Sequence, residues 1–181
     1  LHYFALHRQF RKVTQNEEFR SYFWIVVLIT VFITLGLLLG ENLSPEISFR
    51  DSIFTVVSIL TTTGFVTADY SMWPSFLWML IFALMFIGGS AGSTGGGVKI
   101  IRILLLVKNS LLEMKRSIHP QAIIPVKYNK KSVSQQLIFN VMAFFLIYFI
   151  IFSVGTVILS LFGYDFQTSI GAAIATLGNI G

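Results

Sequence analysis

Two long stretches without any charged residue constrain the fold of this chain more than any other feature. Tyr22–Gly40 has 19 such residues and Leu137–Phe162 has 26. At 1.5 Å per residue, the shorter stretch makes a helix of about 28 Å, enough to cross a hydrocarbon core of about 30 Å. Only 12% of the residues are charged, whereas soluble domains carry about 25%. The sequence therefore predicts an all-α integral membrane protein.

The reactive and charged residues exclude several functional classes. The 181 residues include no cysteine, which excludes disulfides, cysteine–zinc sites and thiol catalysis. His2, His7 and His119 lack a ligand spacing to one another or to carboxylates, so we expect no metal-ligand cluster and no cofactor. The net charge is +5, but the charges lie between apolar stretches rather than on one soluble face. We therefore expect no binding to nucleic acid.

A short apolar segment ends in a run of threonines and a glycine. Phe49–Leu60 predicts a helix of about 18 Å, too short to span a bilayer, with Ser48 and Asp51 as its N-terminal cap. The first turn, Thr61–Phe65, follows it. Non-helical backbone at membrane depth is tolerated where it is buried in protein or lines a watery cavity. Carbonyl oxygens there can replace the water shell of a cation, which the negative end of the helix also favours. A helix C-cap followed by an ordinary loop is the alternative.

A second unusual stretch is the glycine-rich loop, Gly88–Gly97, with six glycines in ten residues. Each glycine costs about 1 kcal/mol in a helix interior, so the loop predicts a broken membrane helix between an apolar run from Trp73 and a helix from about Val98 to Arg116. A flexible hinge or close helix packing is the alternative. A phosphate-binding loop is disfavoured, because the Lys-Ser/Thr that should follow the glycine is missing. We interpret Lys99 and Arg102, which follow the loop, as residues that snorkel to the interface; an effect on ions at the inner mouth is the alternative.

The order of span, short helix and glycine turn occurs twice. Phe166–Ala175 is the second short segment, and the second turn, Leu177–Gly181, follows it. A shift of 117 residues gives five identities in sixteen positions, which pair Phe49 with Phe166, Ser52 with Ser169, Ile53 with Ile170, Leu60 with Leu177 and Gly64 with Gly181. The second turn keeps the final glycine without the threonines.

Loop charges predict the orientation. Residues 1–21 hold four Lys and Arg, residues 99–135 hold eight, and segments 40–72 and 163–181 hold only Arg50. By the positive-inside rule, the basic loops are cytoplasmic and both turns enter from outside. Five carboxylates on the outer segments predict an acidic mouth that concentrates cations.

The first turn, the run Gly88–Lys99 and the second turn together resemble the Trk/Ktr/HKT superfamily of cation transporters, most closely its bacterial TrkH type. The resemblance covers essentially the whole chain. It implies helix–pore-loop–helix repeats of potassium-channel-like architecture, four to a chain around one pore. The chain is then expected to be a piece of a longer protein. It would comprise the end of a preceding helix with a cytoplasmic linker (1–21), a complete unit (22–116), a cytoplasmic basic loop (117–135) and an incomplete unit that ends in its filter (136–181).

The resemblance also implies roles for individual residues. The expected filter residues are Thr61, Thr62, Thr63, Gly64, Gly178, Asn179, Ile180 and Gly181, where potassium binds. The expected gate, under the filter, is the glycine-rich loop with Gly88, Gly89, Ser90, Gly92, Ser93, Thr94, Gly95, Gly96 and Gly97. Glycine at 64 and 181 implies a preference for potassium. Two departures from related patterns bear on selectivity: no Tyr-Gly follows the Thr-Gly of channels with the full potassium signature, and the second turn lacks hydroxyls.

Assembly and location follow from the same resemblance. It implies a homodimer in the bacterial inner membrane, with a cytosolic nucleotide-binding regulatory subunit on the basic inner face. The sequence leaves open whether sodium or protons move with potassium.

The favoured function is potassium transport through a gated pore. A cation-coupled secondary carrier with a mid-membrane site at the broken helix is the alternative, and a membrane scaffold that presents its basic loop to a partner is a third. An enzyme is disfavoured, because no acid–base pair or nucleophile–base pair has useful spacing.

Overall fold

A computed structural model describes residues 14–40, 44–118 and 124–180 as a mainly helical chain with two minimal strand pairs. The helices are α1 (Glu17–Gly40), α2 (Pro45–Leu60), α3 (Ser75–Met85), α4 (Ile100–Ile118), α5 (Gln135–Leu161) and α6 (Phe166–Gly178). A 3-10 turn covers Tyr70–Met72, and the strands are β1 (Ile87–Gly88), β2 (Val98–Lys99), β3 (Lys127–Tyr128) and β4 (Lys131–Ser132).

Two helices, α1 and α5, are long and apolar enough to cross a membrane. They lie at the two predicted positions. Only 17% of the most apolar 18-residue window of each helix is buried within the chain, whereas the core helix of a soluble protein would be largely covered. Most exposed side chains of α5 are apolar, such as Leu146 and Phe149, which suits a hydrocarbon surrounding.

Capping residues place the helix starts earlier than the apolar pattern indicates. The Asn16 side chain accepts hydrogen bonds from the backbone N–H groups of Glu18 and Phe19 at 2.8 and 3.4 Å, so α1 begins before Tyr22. Such side chains satisfy helix N–H groups that have no partner in the helix.

The predicted cap of α2 at Ser48 with Asp51 is wrong. Ser44 caps this helix by accepting a hydrogen bond from the Ile47 N–H at 3.4 Å. Pro45 is the first residue of the helix, where its missing N–H costs nothing. Ser48 and Asp51 are instead buried inside the helix.

The broken helix is confirmed. The helix before the break, α3, ends at Met85, and α4 starts at Ile100. Between them β1 pairs in parallel with β2, Ile87 opposite Val98. The two ends of the glycine-rich loop therefore lie side by side, and the loop is closed at its base by the β1–β2 pair.

The basic stretch before α5 contains a feature that the sequence did not predict. Strands β3 and β4 form an antiparallel hairpin, and Asn129 and Lys130 at its tip both have positive φ, 47° and 66°. Positive φ at both central residues is characteristic of a tight type I′ hairpin turn.

One apolar core joins the two short helices to their neighbours. Fully buried side chains of α1 and α2, such as Leu37 and Leu60, pack in one cluster with Leu77 and Ile81 of α3 and Ile174 of α6. This cluster holds the C-terminal ends of α2 and α6 in the same part of the molecule.

Candidate ion pathway

The first turn is a left-handed reversal at the end of α2. Thr62 has φ 54° and Gly64 has φ 77°. A positive φ is rare for a β-branched residue such as Thr62. The N–H groups of Thr62 and Thr63 bond back to the carbonyls of Ile59 and Ser58 at 3.0 and 2.8 Å. These two bonds hold the strained turn against the helix end.

Side chains also secure the first turn, and they do so without using its carbonyls at positions 61–64. The Thr61 hydroxyl donates to the Val57 carbonyl at 2.7 Å and lies 2.8 Å from the Thr63 hydroxyl. Among the described residues, no donor hydrogen-bonds to the carbonyl oxygens of positions 61–64. Such uncommitted carbonyls are what cation coordination requires.

The segment after the first turn is fastened by buried polar groups of α2. The Ser58 hydroxyl donates to the Phe65 carbonyl at 2.6 Å. Thr67 donates to the Asp51 carboxylate at 3.5 Å, although Asp51 is only 7% exposed. Sequence reasoning missed Ser58. The sequence did contain a signal. Hydroxyl side chains recur at helical spacing along this otherwise apolar segment, at Ser48, Ser52, Thr55 and Ser58.

The second turn repeats the geometry of the first. Asn179 has φ 53° and lies 117 positions after Thr62, the same shift that aligns the two segments. The N–H groups of Asn179 and Ile180 bond to the carbonyls of Thr176 and Ala175 at 3.1 and 2.9 Å, in the same register as in the first turn. Gly181 lies outside the described residues.

The glycine-rich loop lies directly against both turns. A Cβ built on Gly95 would be 2.6 Å from the Thr62 hydroxyl, and one on Gly96 would be 2.0 Å from the Gly178 carbonyl oxygen. Backbone can approach this closely only where no side chain intervenes. By contrast, a Cβ on Gly92 would meet nothing within 4 Å.

Lys99 holds the glycine-rich loop in shape. Its ammonium donates to the carbonyl and the hydroxyl of Ser93, both at 3.0 Å, and to the Gly95 carbonyl. Lys99 therefore has partners within the loop, and its position relative to a membrane interface stays a prediction. Arg102 lies 3.8 Å from the ring centre of Phe144, in a cation–π contact within the chain.

A buried carboxylate also contacts the glycine-rich loop. Glu18, at the start of α1, accepts the Ala91 N–H at 2.5 Å and is 5% exposed. Glu18, Thr61 and Ser93 line one cavity of about 330 Å³. The contact spans 73 residues of sequence, so no local pattern could have indicated it.

The sequence of the site matches a known family. Residues 18–181 match the TrkH family profile, described as "Cation transport protein". The chain belongs to the TrkH family. The Trk system potassium uptake protein TrkH of Vibrio parahaemolyticus is 40% identical over 168 residues, which are 92% of this chain and 35% of that protein. The protein of the same name from Escherichia coli K12 is 36% identical over 183 residues, 100% of this chain and 38% of that protein.

The fold matches a solved member of the family. The crystal structure of the potassium transporter TrkH from Vibrio parahaemolyticus superposes with a TM-score of 0.86 at 39% identity, over 93% of this chain and 36% of that chain. This chain thus spans little more than a third of the length of its relatives.

The fit between the glycine-rich loop and α6 predicts a contrast between two alanine substitutions. In the full-length parent, Gly96→Ala should lower the free energy of unfolding by about 1–3 kcal/mol, because its methyl group overlaps the Gly178 carbonyl. The matched control Gly92→Ala should stay within about 0.5 kcal/mol of the parent. Thermal unfolding of the purified protein measures both, and equal melting temperatures would contradict the contact.

Proposed function

We propose that this chain forms part of a potassium-conducting pore in the plasma membrane, in which the two turns contribute the filter and the glycine-rich loop is the gate. The observation that supports this most is the contact of Gly95 and Gly96 with the two turns. An ion that leaves free carbonyls at the turns next meets the loop. The named activity of the relatives, potassium uptake, is what such a path would perform.

Electrostatics favour a cation at this place without any charged side chain. Helices α2 and α6 both end at a turn, and a helix C-terminus carries the equivalent of about half a negative charge. Two such ends, converging on free carbonyls, attract a cation yet bind it less tightly than carboxylates would. Conduction needs this balance, since an ion must enter the site and also leave it.

We infer that the turns face outside and the hairpin faces the cytoplasm. The concentration of Lys and Arg in residues 99–135, which include the hairpin, supports this orientation. Hydrogen bonds from the Ser71 hydroxyl and N–H lower the pKa of Asp69, and those from the hydroxyl and N–H of Thr168 lower the pKa of Asp165. Both carboxylates therefore stay ionised well below neutral pH and can concentrate cations at the mouth.

The remaining parts of the proposal concern the full protein. Residues 22–116 would form one complete helix–pore-loop–helix unit and 136–181 part of another, joined by the cytoplasmic segment 117–135. The whole would be a homodimer in the bacterial inner membrane, controlled by a nucleotide-binding regulatory subunit on the basic face. The name "Trk system" of the relatives fits a transporter with partner components.

The filter proposal predicts a loss of selectivity when Gly64 is replaced. In the full-length parent, Gly64→Ser should reduce the ratio of rubidium to sodium uptake by roughly tenfold, which corresponds to about 1.4 kcal/mol of differential binding. The reason is that φ 77° is strained for any residue with a side chain, and the new hydroxyl adds a ligand for sodium. Gly64→Ala imposes the same strain without the hydroxyl, and so separates the two effects. Unchanged selectivity in both variants, with protein present in the membrane, would favour the carrier hypothesis.

The gate proposal predicts that a shorter loop conducts more. Deletion of residues within 92–97 should raise rubidium uptake, because a shortened loop cannot reach both turns. The control is Gly92→Ala, which keeps the loop length and meets no neighbour. Uptake at the parent's level from a normally expressed deletion variant would argue against a gate here.

A further inference from the structure

The Glu18 side chain that contacts the glycine-rich loop also contacts the β3–β4 hairpin. One carboxylate oxygen of Glu18 accepts the Ala91 N–H at 2.5 Å, and the other accepts the Tyr128 hydroxyl at 3.4 Å. Tyr128 belongs to the β3–β4 hairpin. A single buried side chain therefore contacts both the glycine-rich loop and the β3–β4 hairpin.

The hairpin is fastened to the same place by its neighbours. The Asn129 side chain accepts the Glu17 N–H at 2.9 Å. Lys108 of α4 donates to the Lys127 carbonyl at 2.9 Å and to the Glu17 carboxylate at 2.5 Å. We therefore expect a displacement of the hairpin to move the N-terminal end of α1, where Glu18 lies.

Burial makes the two bonds of Glu18 depend on each other. A carboxylate removed from water needs hydrogen-bond donors, and loss of one donor leaves a costly unsatisfied oxygen. Burial, and then the negative charge of Glu18, raise the pKa of Tyr128, so its hydroxyl remains a donor at neutral pH. If the hairpin moves away, the carboxylate loses this donor and becomes free to turn towards water, away from Ala91.

We propose that Glu18 is a positioning residue that transmits movement of the 127–132 hairpin to the glycine-rich loop and holds the loop against the turns when the hairpin is docked. This rests on the proposed role of the loop as a gate. It gives the basic cytoplasmic face a defined physical route to the pore. Whatever displaces the hairpin releases the loop.

The test is rubidium uptake into vesicles by the purified full-length protein without any partner. Glu18→Ala should raise uptake by roughly tenfold, since a charge-assisted bond to the loop is lost. Tyr128→Phe removes only the hydroxyl and should raise uptake about twofold. Lys131→Ala, on the exposed side of the same hairpin, should leave uptake unchanged.

Combined variants separate coupling from simple loop anchoring. If Glu18 transmits the hairpin's position, Tyr128→Phe should have no further effect in the Glu18→Ala background or in the loop-shortened background. Additive effects would overturn the proposal. So would normal uptake by a well-folded Tyr128→Phe variant, because Glu18 would then only anchor the loop. If the loop-shortened variant conducts like the parent, the loop is not a gate, and the proposed role of Glu18 is refuted with it. If the loop-shortened variant conducts more and the Glu18 and Tyr128 variants do not, the loop is a gate, but Glu18 does not transmit the hairpin's movement to it.

Discussion

Backbone groups that are removed from water need hydrogen-bond partners, and the structure around the two turns follows from that constraint. At the end of α2, the N–H groups of Thr62 and Thr63 bond to carbonyls of the helix, and the Ser58 hydroxyl bonds to the Phe65 carbonyl. The carbonyls of positions 61–64 have no hydrogen-bond donor among the described residues. The glycine-rich loop meets the same constraint differently, with Lys99 and Glu18 supplying a donor and an acceptor. What stays uncommitted is a set of carbonyls between turn and loop.

Steric fit then sets how closely loop and turns approach. Glycine at 95 and 96 removes the side chains that would hold the backbones apart, and one extra methyl group would overlap the Gly178 carbonyl. Under the proposed gating role, a loop packed this tightly would have discrete positions rather than a continuous range, as expected of close-packed interiors. That property suits a gate, which must be either seated or displaced.

Much of this architecture could be predicted from local sequence. Charge-free length fixes α1 and α5, and six closely spaced glycines indicate the broken helix. The repeat of α2 and α6 reappears as matching left-handed residues, Thr62 and Asn179. Local patterns failed where a single polar atom decides. Ser44, not Ser48, caps α2, because serine at either position satisfies the same rule and only the Pro45 context separates them.

Long-range polar contacts could not be predicted at all. Glu18 and Ala91 are 73 residues apart, and Glu18 and Tyr128 are 110 apart; nothing in hydrophobic periodicity links them. The sequence neighbours of Lys99 likewise gave no sign of its partners, which are carbonyls of Ser93 and Gly95 in the folded loop. The proposed function therefore rests most on contacts that could not be predicted from the sequence.

The most direct test of the central claim is the position of a bound ion. Crystals of the full-length parent grown in rubidium would give an anomalous diffraction signal from the ion itself. The account predicts a peak within coordination distance of backbone carbonyls of both the first turn and the second turn, above Gly95 and Gly96. A signal confined to the interior of the glycine-rich loop, with none at the turns, would contradict it.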